Sequence, residues 1–209
     1  MNTVDGQAEV ERKRQLPGDD AVVLETRLVG LGWTSDLPVA EVDTYYSRPD
    51  VDYMETVECL RVRRRGDFME ITYKPASTAA THSADDVISK PETNVQLVPG
   101  QVQQAEQLLE NIGMRRLVQV EKRRTTFRHP AKPGLTVSID HVAGVGVFVE
   151  TEVISDCSDS AAVLVAQTES VLGVDDCPTV DLPYRDLVLS RAASADAPPG
   201  TGRNRSLSG

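Results

Sequence analysis

The chain has 209 residues, 40% hydrophobic and 26% charged, enough for one large domain whose core needs no disulfide or metal staple. No apolar run approaches the roughly 20 residues of a membrane span, and the start MNTVDGQAEVERKR lacks the apolar stretch of a signal peptide, so a soluble, cytoplasmic protein is expected. The net charge of −10 disfavours a general nucleic-acid binder, and any anionic ligand must be held by a local basic site working against that background.

Taken in chain order, the first strand is predicted at residues 7–16, where a period of two puts Glu9, Glu11 and Lys13 on one face. Ala21, Leu24, Leu28 and Leu31 follow at helical spacing, with Gly32 as the stop. Strands are then expected at 39–47, at 57–65 with Arg61 and Arg63 on one face, and at 68–75 ending in Lys74; Gly66-Asp67 turns the last two into a hairpin. A fifth strand at 87–97 carries Lys90, Glu92 and Asn94 on one face. The second helix holds Val102, Ala105, Leu108, Leu109 and Ile112 before Gly113. Strands at 116–128, 135–142 and 147–154 bring Lys122 with Arg124, then Asp140, then Glu150 with Glu152. A third helix runs through Ala162, Val165, Val171 and Leu172 to Gly173. The domain is expected to span 1–189, and the small, polar, Pro- and Gly-rich residues 190–209 read as a disordered tail.

This order is a β-α-β-β-β unit used twice. Eight largely antiparallel strands from a duplicated unit predict an α+β fold in which a closed eight-stranded barrel has helices packed outside it. Leu60, Val62, Val137, Ile139, Val147, Val149 and Val153 supply the apolar outer faces that the helices need. The charged faces then point inward, where ionised groups require water, partners or a ligand.

The inward set has both signs. Lys13, Arg61, Arg63, Lys74, Lys90, Lys122 and Arg124 suit the phosphates of a polyanion such as a triphosphate. Glu9, Glu11, Glu92, Asp140, Glu150 and Glu152 are oxygen donors of the kind that hold Mg²⁺ or Mn²⁺. Metal-bridged phosphates between basic walls are the means by which phosphoryl and nucleotidyl transfer stabilise developing charge. Cys59, Cys157 and Cys177 are widely spaced and read as free thiols, and no GxxxxGK[ST] phosphate loop is present.

Glu9-Val10-Glu11-Arg12-Lys13 resembles the ExExK signature of the CYTH superfamily, the triphosphate tunnel metalloenzymes. It is followed in family order by Asp43-Thr44-Tyr45-Tyr46, Leu60-Arg61-Val62-Arg63, Thr72-Tyr73-Lys74, Lys122-Arg123-Arg124, Ile139-Asp140 and Gly146-Val147-Phe148-Val149-Glu150-Thr151-Glu152. Together with Tyr184-Arg185-Asp186-Leu187, these segments look most like the class IV adenylyl cyclase branch. The resemblance implies a tunnel with Glu9, Glu11, Glu150 and Glu152 near metals and Lys13, Arg61, Arg63, Lys74, Lys122 and Arg124 on phosphates. Lys90 stands where an Arg is usual, and Pro75 where a Gly is common.

The candidate catalytic residues are Lys13, Lys74 and Asp140. The expected activity is a metal-dependent conversion of ATP to cyclic AMP and pyrophosphate. The alternatives are a triphosphatase acting on thiamine triphosphate, inorganic triphosphate or a nucleotide, and a noncatalytic polyphosphate binder.

Overall fold

Three glycines end helices by adopting a backbone that side-chain-bearing residues avoid. Gly32, Gly113 and Gly173 have φ of 84°, 92° and 66°, and after each the next residue donates its N–H to a carbonyl five positions back: Trp33 to Leu28, Met114 to Leu109 and Val174 to Glu169. The helices so ended are α1 (Asp20–Gly30), α2 (Val102–Asn111) and α3 (Ser158–Leu172). Asp19, at the N-terminal boundary of α1, makes no side-chain capping bond.

The computed structural model describes residues 8–77, 88–155 and 157–195. The strands are β1 (Ala8–Leu16), β2 (Thr34–Ser35), β3 (Val39–Ser47), β4 (Cys59–Arg65), β5 (Phe68–Lys74), β6 (Ile88–Lys90), β7 (Thr93–Leu97), β8 (Arg115–Arg128), β9 (Leu135–Val142) and β10 (Gly146–Ser155). They form one antiparallel sheet in the order β6-β1-β10-β9-β8-β3-β4-β5-β7, with the short β2 beside β8.

The sheet is not a closed barrel, which corrects the expected architecture. β6 pairs with β1 and β7 with β5, but the two are not paired with each other, so they are the edges of an open sheet. The reason lies in the segment expected as a single strand at 87–97. Pro91 has no N–H to contribute to a ladder, and it divides the segment into two short strands that extend opposite edges.

One face of the sheet packs against helices as its apolar residues dictate. α1 and α3 cover Val10, Val137, Ile139, Val149 and Val153 through Leu24, Leu28, Val165 and Leu172, and α2 covers Leu60 and Val62 through Ala105 and Leu109. The other face changes character along the strands. Tyr45, Val120, Val142 and Phe148 each lie two residues from a charged neighbour on the same face, and they form an apolar cluster with Tyr184. Tyr184 opens a fourth helix, α4 (Tyr184–Ala195). This helix continues past residue 190, where composition places the start of the tail; residues 196–209 lie outside the described residues. Among the described residues no helix is long and apolar enough to cross a membrane.

Candidate functional site

The charged face surrounds a cavity of about 330 Å³. Of the residues singled out from the sequence, Glu9, Glu11, Lys13, Arg61, Arg63, Lys74, Glu92, Lys122, Arg124, Glu150 and Glu152 line it. Asp140 lies behind the lining, fully buried. Lys90 is the backbone partner of Glu9 in the β1–β6 ladder.

Cations and carboxylates are interleaved at short range. Lys74 Nζ is 3.3 Å from Glu9 and 3.1 Å from Glu92, and Arg61 reaches Glu92 at 4.0 Å and Asp43 at 3.6 Å. Arg63 donates from Nε and Nη2 to the two oxygens of Asp43, both at 2.7 Å, a bidentate match of guanidinium to carboxylate. Lys122 lies between Glu41, at 3.2 Å, and Asp140, at 3.1 Å. Arg124 donates to Asp140 and Glu150. Against the cost of burial, Arg63 and Lys122 hold the Glu41 carboxyl down at about 2, and Arg63 and Arg61 hold Asp43 well below the usual carboxylate range.

β1 and β10 set the balance differently. Their register places Glu11 directly opposite Glu152, a like-charge pair that destabilises a sheet, and Lys13 opposite Glu150. Burial, with Glu11 and Glu150 adding repulsion, pushes the Glu152 carboxyl up. Although Lys74 pulls the other way, burial with Glu152, Glu11 and Glu92 holds Glu9 well above its ordinary value. Excess negative charge is thus concentrated at this edge.

Among the described residues no group of three or more His, Cys, Asp or Glu side chains is gathered as a metal site. The six carboxylates expected as oxygen donors are thus not gathered into one such group. Glu9, Glu92, Asp140 and Glu150 are drawn to basic partners, and the like-charge pairing of Glu11 with Glu152 is the feature whose chemistry fits a divalent cation.

Tyr184 reaches this site from α4. Its hydroxyl donates to Asp140 Oδ2 at 2.9 Å, and its ring is approached by Lys13 Nζ at 4.6 Å and Lys122 Nζ at 5.0 Å. Phe148 supports the ring edge-on at 5.2 Å. Lys13 Nζ also donates to the Leu182 carbonyl at 2.6 Å. Burial lowers the Lys13 ammonium's affinity for its proton, despite nearby Glu150 and Glu11.

The CYTH domain model matches residues 7–176. The chain belongs to the CYTH family. A Methanocaldococcus jannaschii protein named "Putative adenylate cyclase MJ0240" is 27% identical over 157 residues, covering 75% of this chain and 83% of that one. The structure of the PH1819 protein from Pyrococcus horikoshii shares the fold at a TM-score of 0.72 and 23% identity, covering 88% of this chain and 99% of that one. Another with this fold is HpAC1 from Hippeastrum, described as revealing a dominant triphosphatase activity. Its TM-score is 0.62 at 15% identity, with 88% and 96% of the two chains covered. Tyr184 and α4 fall beyond the stretch that the CYTH model matches.

Glu41 is absent from the candidate residues and Asp43 enters only within the Asp43-Thr44-Tyr45-Tyr46 segment, although their spacing of two on β3 is the signal that selects Arg61 with Arg63 and Lys122 with Arg124. Tyr184 carried no periodic signal, since its contacts come from the first turn of a helix whose remaining residues are mostly exposed.

Proposed function

We propose that this CYTH protein is a metal-dependent enzyme that binds a triphosphate in the cavity and converts ATP to cyclic AMP and pyrophosphate. The observation that carries the reading is that six cations from four strands, Lys13, Arg61, Arg63, Lys74, Lys122 and Arg124, face one cavity together with Glu9, Glu11, Glu150 and Glu152. A pure anion binder gains nothing from carboxylates that repel its ligand.

Glu11 and Glu152, with Glu9 and Glu150 beside them, would hold Mg²⁺ or Mn²⁺. Bound there, the ion supplies Lewis-acid charge for the phosphates. Arg61, Arg63, Lys74, Lys122 and Arg124 bind the phosphate oxygens. Asp43, Glu41 and Asp140 orient Arg63, Lys122 and Arg124, and Tyr184 fixes Asp140 and flanks the two lysines. The ribose 3′-oxygen bonds to the α-phosphorus as the α–β bridging bond breaks and pyrophosphate leaves. Lys13 Nζ, half-buried on the cavity wall and without an ion pair among the described residues, would take the 3′-hydroxyl proton in its neutral form.

The second reading is a triphosphatase, favoured by the activity described for the Hippeastrum relative. Product analysis separates the two. ATP with Mg²⁺ or Mn²⁺ should give cyclic AMP and pyrophosphate in equal amounts, and nothing with chelator. ADP and orthophosphate, or hydrolysis of thiamine triphosphate or inorganic triphosphate with ATP untouched, would install the triphosphatase instead.

A further inference from the structure

We infer that the cavity contains a subsite for an uncharged organic group, formed by Tyr45, Val57, Cys59, Ser77 and Pro183, so that the substrate class is a triphosphate ester and not inorganic triphosphate. This rests on the reading above that the cationic wall holds the triphosphate.

Val57 is the first observation. Among the described non-glycine residues it alone has a positive φ, 55°, and for a β-branched side chain that backbone is an outlier that persists only where its surroundings hold it. The conformation is held from both sides. Thr56 donates its hydroxyl to Glu58 Oε2 at 2.9 Å, and its carbonyl accepts the Ser77 N–H at 2.8 Å. Glu58 in turn accepts the Tyr73 hydroxyl at 2.7 Å. Arg185, 1% exposed, donates to the Glu58 and Tyr53 carbonyls at 2.7 and 2.9 Å and to Asp186 at 2.7 Å. The loop is therefore built to keep Val57 on the cavity wall, and the guanidinium that fastens it is occupied by those partners.

Ser77 is the second. Its Oγ is buried with no hydrogen-bond partner among the described residues, on the same cavity wall. A hydroxyl left so opposes folding, and a ligand's polar edge would satisfy it. Tyr45 and Cys59 continue the wall as part of an apolar cluster.

An apolar surface with one open hydroxyl matches a heterocycle or sugar. Inorganic triphosphate consists of charged oxygens and gains nothing from it.

The test is kcat/KM for ATP, thiamine triphosphate and inorganic triphosphate, with Mg²⁺, in the parent, Val57→Phe and Ser77→Ala. At least one ester should exceed inorganic triphosphate in the parent by about tenfold, and Val57→Phe should lower that ratio by about tenfold. Ser77→Ala should lower it severalfold. A parent that prefers inorganic triphosphate, or ratios within about twofold of the parent in both variants, overturns the inference. Should Val57→Phe fail to fold, Val57→Gly, which suits the backbone, must shift the same ratio. If the parent turns over none of the three, the reading beneath fails, and calorimetry then decides the subsite. Tighter binding of a nonhydrolysable ATP analogue than of inorganic triphosphate, lost in the Val57 variant, supports it. Equal affinities overturn it.

Discussion

Glu152 and Glu11 face each other across β1 and β10 with no cation interposed by the strand register. Because burial and like charge raise the Glu152 carboxyl, its ionised form opposes folding: its favourable contribution is present below the unfolded pKa and is lost as pH rises through the folded one. Glu152→Gln should therefore raise Tm at pH 8 by about 2–4 °C, the equivalent of about 1 kcal/mol, while removing turnover. Mg²⁺ should raise the parent's Tm and leave the variant's unchanged; a variant as metal-responsive as the parent would remove Glu152 from the ion's ligands. Asp43 behaves oppositely. Its carboxyl is held low by Arg63 and Arg61 despite burial, so it stabilises above its unfolded value and loses that contribution as pH falls through the folded one. With Glu41 and Glu92 both held at about 2, the acid-induced loss of stability should develop between about pH 4.5 and pH 2. Asp43→Asn, which leaves the buried Arg63 and the half-buried Arg61 short of a partner, should cost about 3–5 kcal/mol in denaturant melts and shrink that acid transition. These roles were half legible. The period of two that selects Arg61 and Arg63 also selects Glu41 and Asp43, but a like-charge pair across strands needs the register, and register follows from turns and bulges such as the shift between Tyr45 and Tyr46.

At the scale of elements, periodicity located α1, α2 and α3 because each presents an apolar stripe to the sheet and ends at a glycine. α4 escaped it. Its buried contacts begin with Tyr184, Arg185 and Asp186 and fade by Ser190, while residues 191–194 are exposed, so neither composition nor spacing separates them from a tail. The helix is anchored by its first turn, and truncation should show this. A chain ending at Ser190 should keep the parent's Tm and activity, since residues 191–194 are exposed and the Ser194 hydroxyl bonds back to Ser190 within the helix. One ending at Leu182 loses the Tyr184 hydroxyl from Asp140 and uncovers Tyr45, Val120, Val142 and Phe148. Its Tm should fall sharply, and a Tyr184→Phe chain should retain most of the Tm while losing activity. If the Leu182-terminated chain melts like the parent, α4 is not part of the fold's core. The divided strand at 87–97 was legible in principle, because a proline in the middle of a strand removes a ladder donor.

For the whole molecule, closure was the property the sequence could not supply. Duplicated strands and a charged inner face are compatible with a sealed barrel or with a sheet whose edges stop short, and the pairing of β6 and β7 with different neighbours decides for the second. The electrostatics of the enclosed space were legible only as a list of signs. Among the described residues lining the cavity, eight are basic and seven acidic, in a chain of net charge −10. Such a lining is close to neutral and, at Arg61, Arg63, Lys74, Lys122 and Arg124, already paired, so a free triphosphate entering it must break ion pairs while bringing more negative charge. The carboxylates of β1 and β10, were they to hold a divalent ion, would leave Arg124 and Lys74 free for the phosphates. Calorimetric titration with inorganic triphosphate and with a nonhydrolysable ATP analogue should therefore show binding at least about tenfold weaker in chelator than with Mg²⁺ or Mn²⁺, a difference of about 1.4 kcal/mol. Equal affinity in chelator and in metal would mean that the cations accept phosphate without relief from the carboxylates, and the paired arrangement seen here would then have no part in metal-dependent binding.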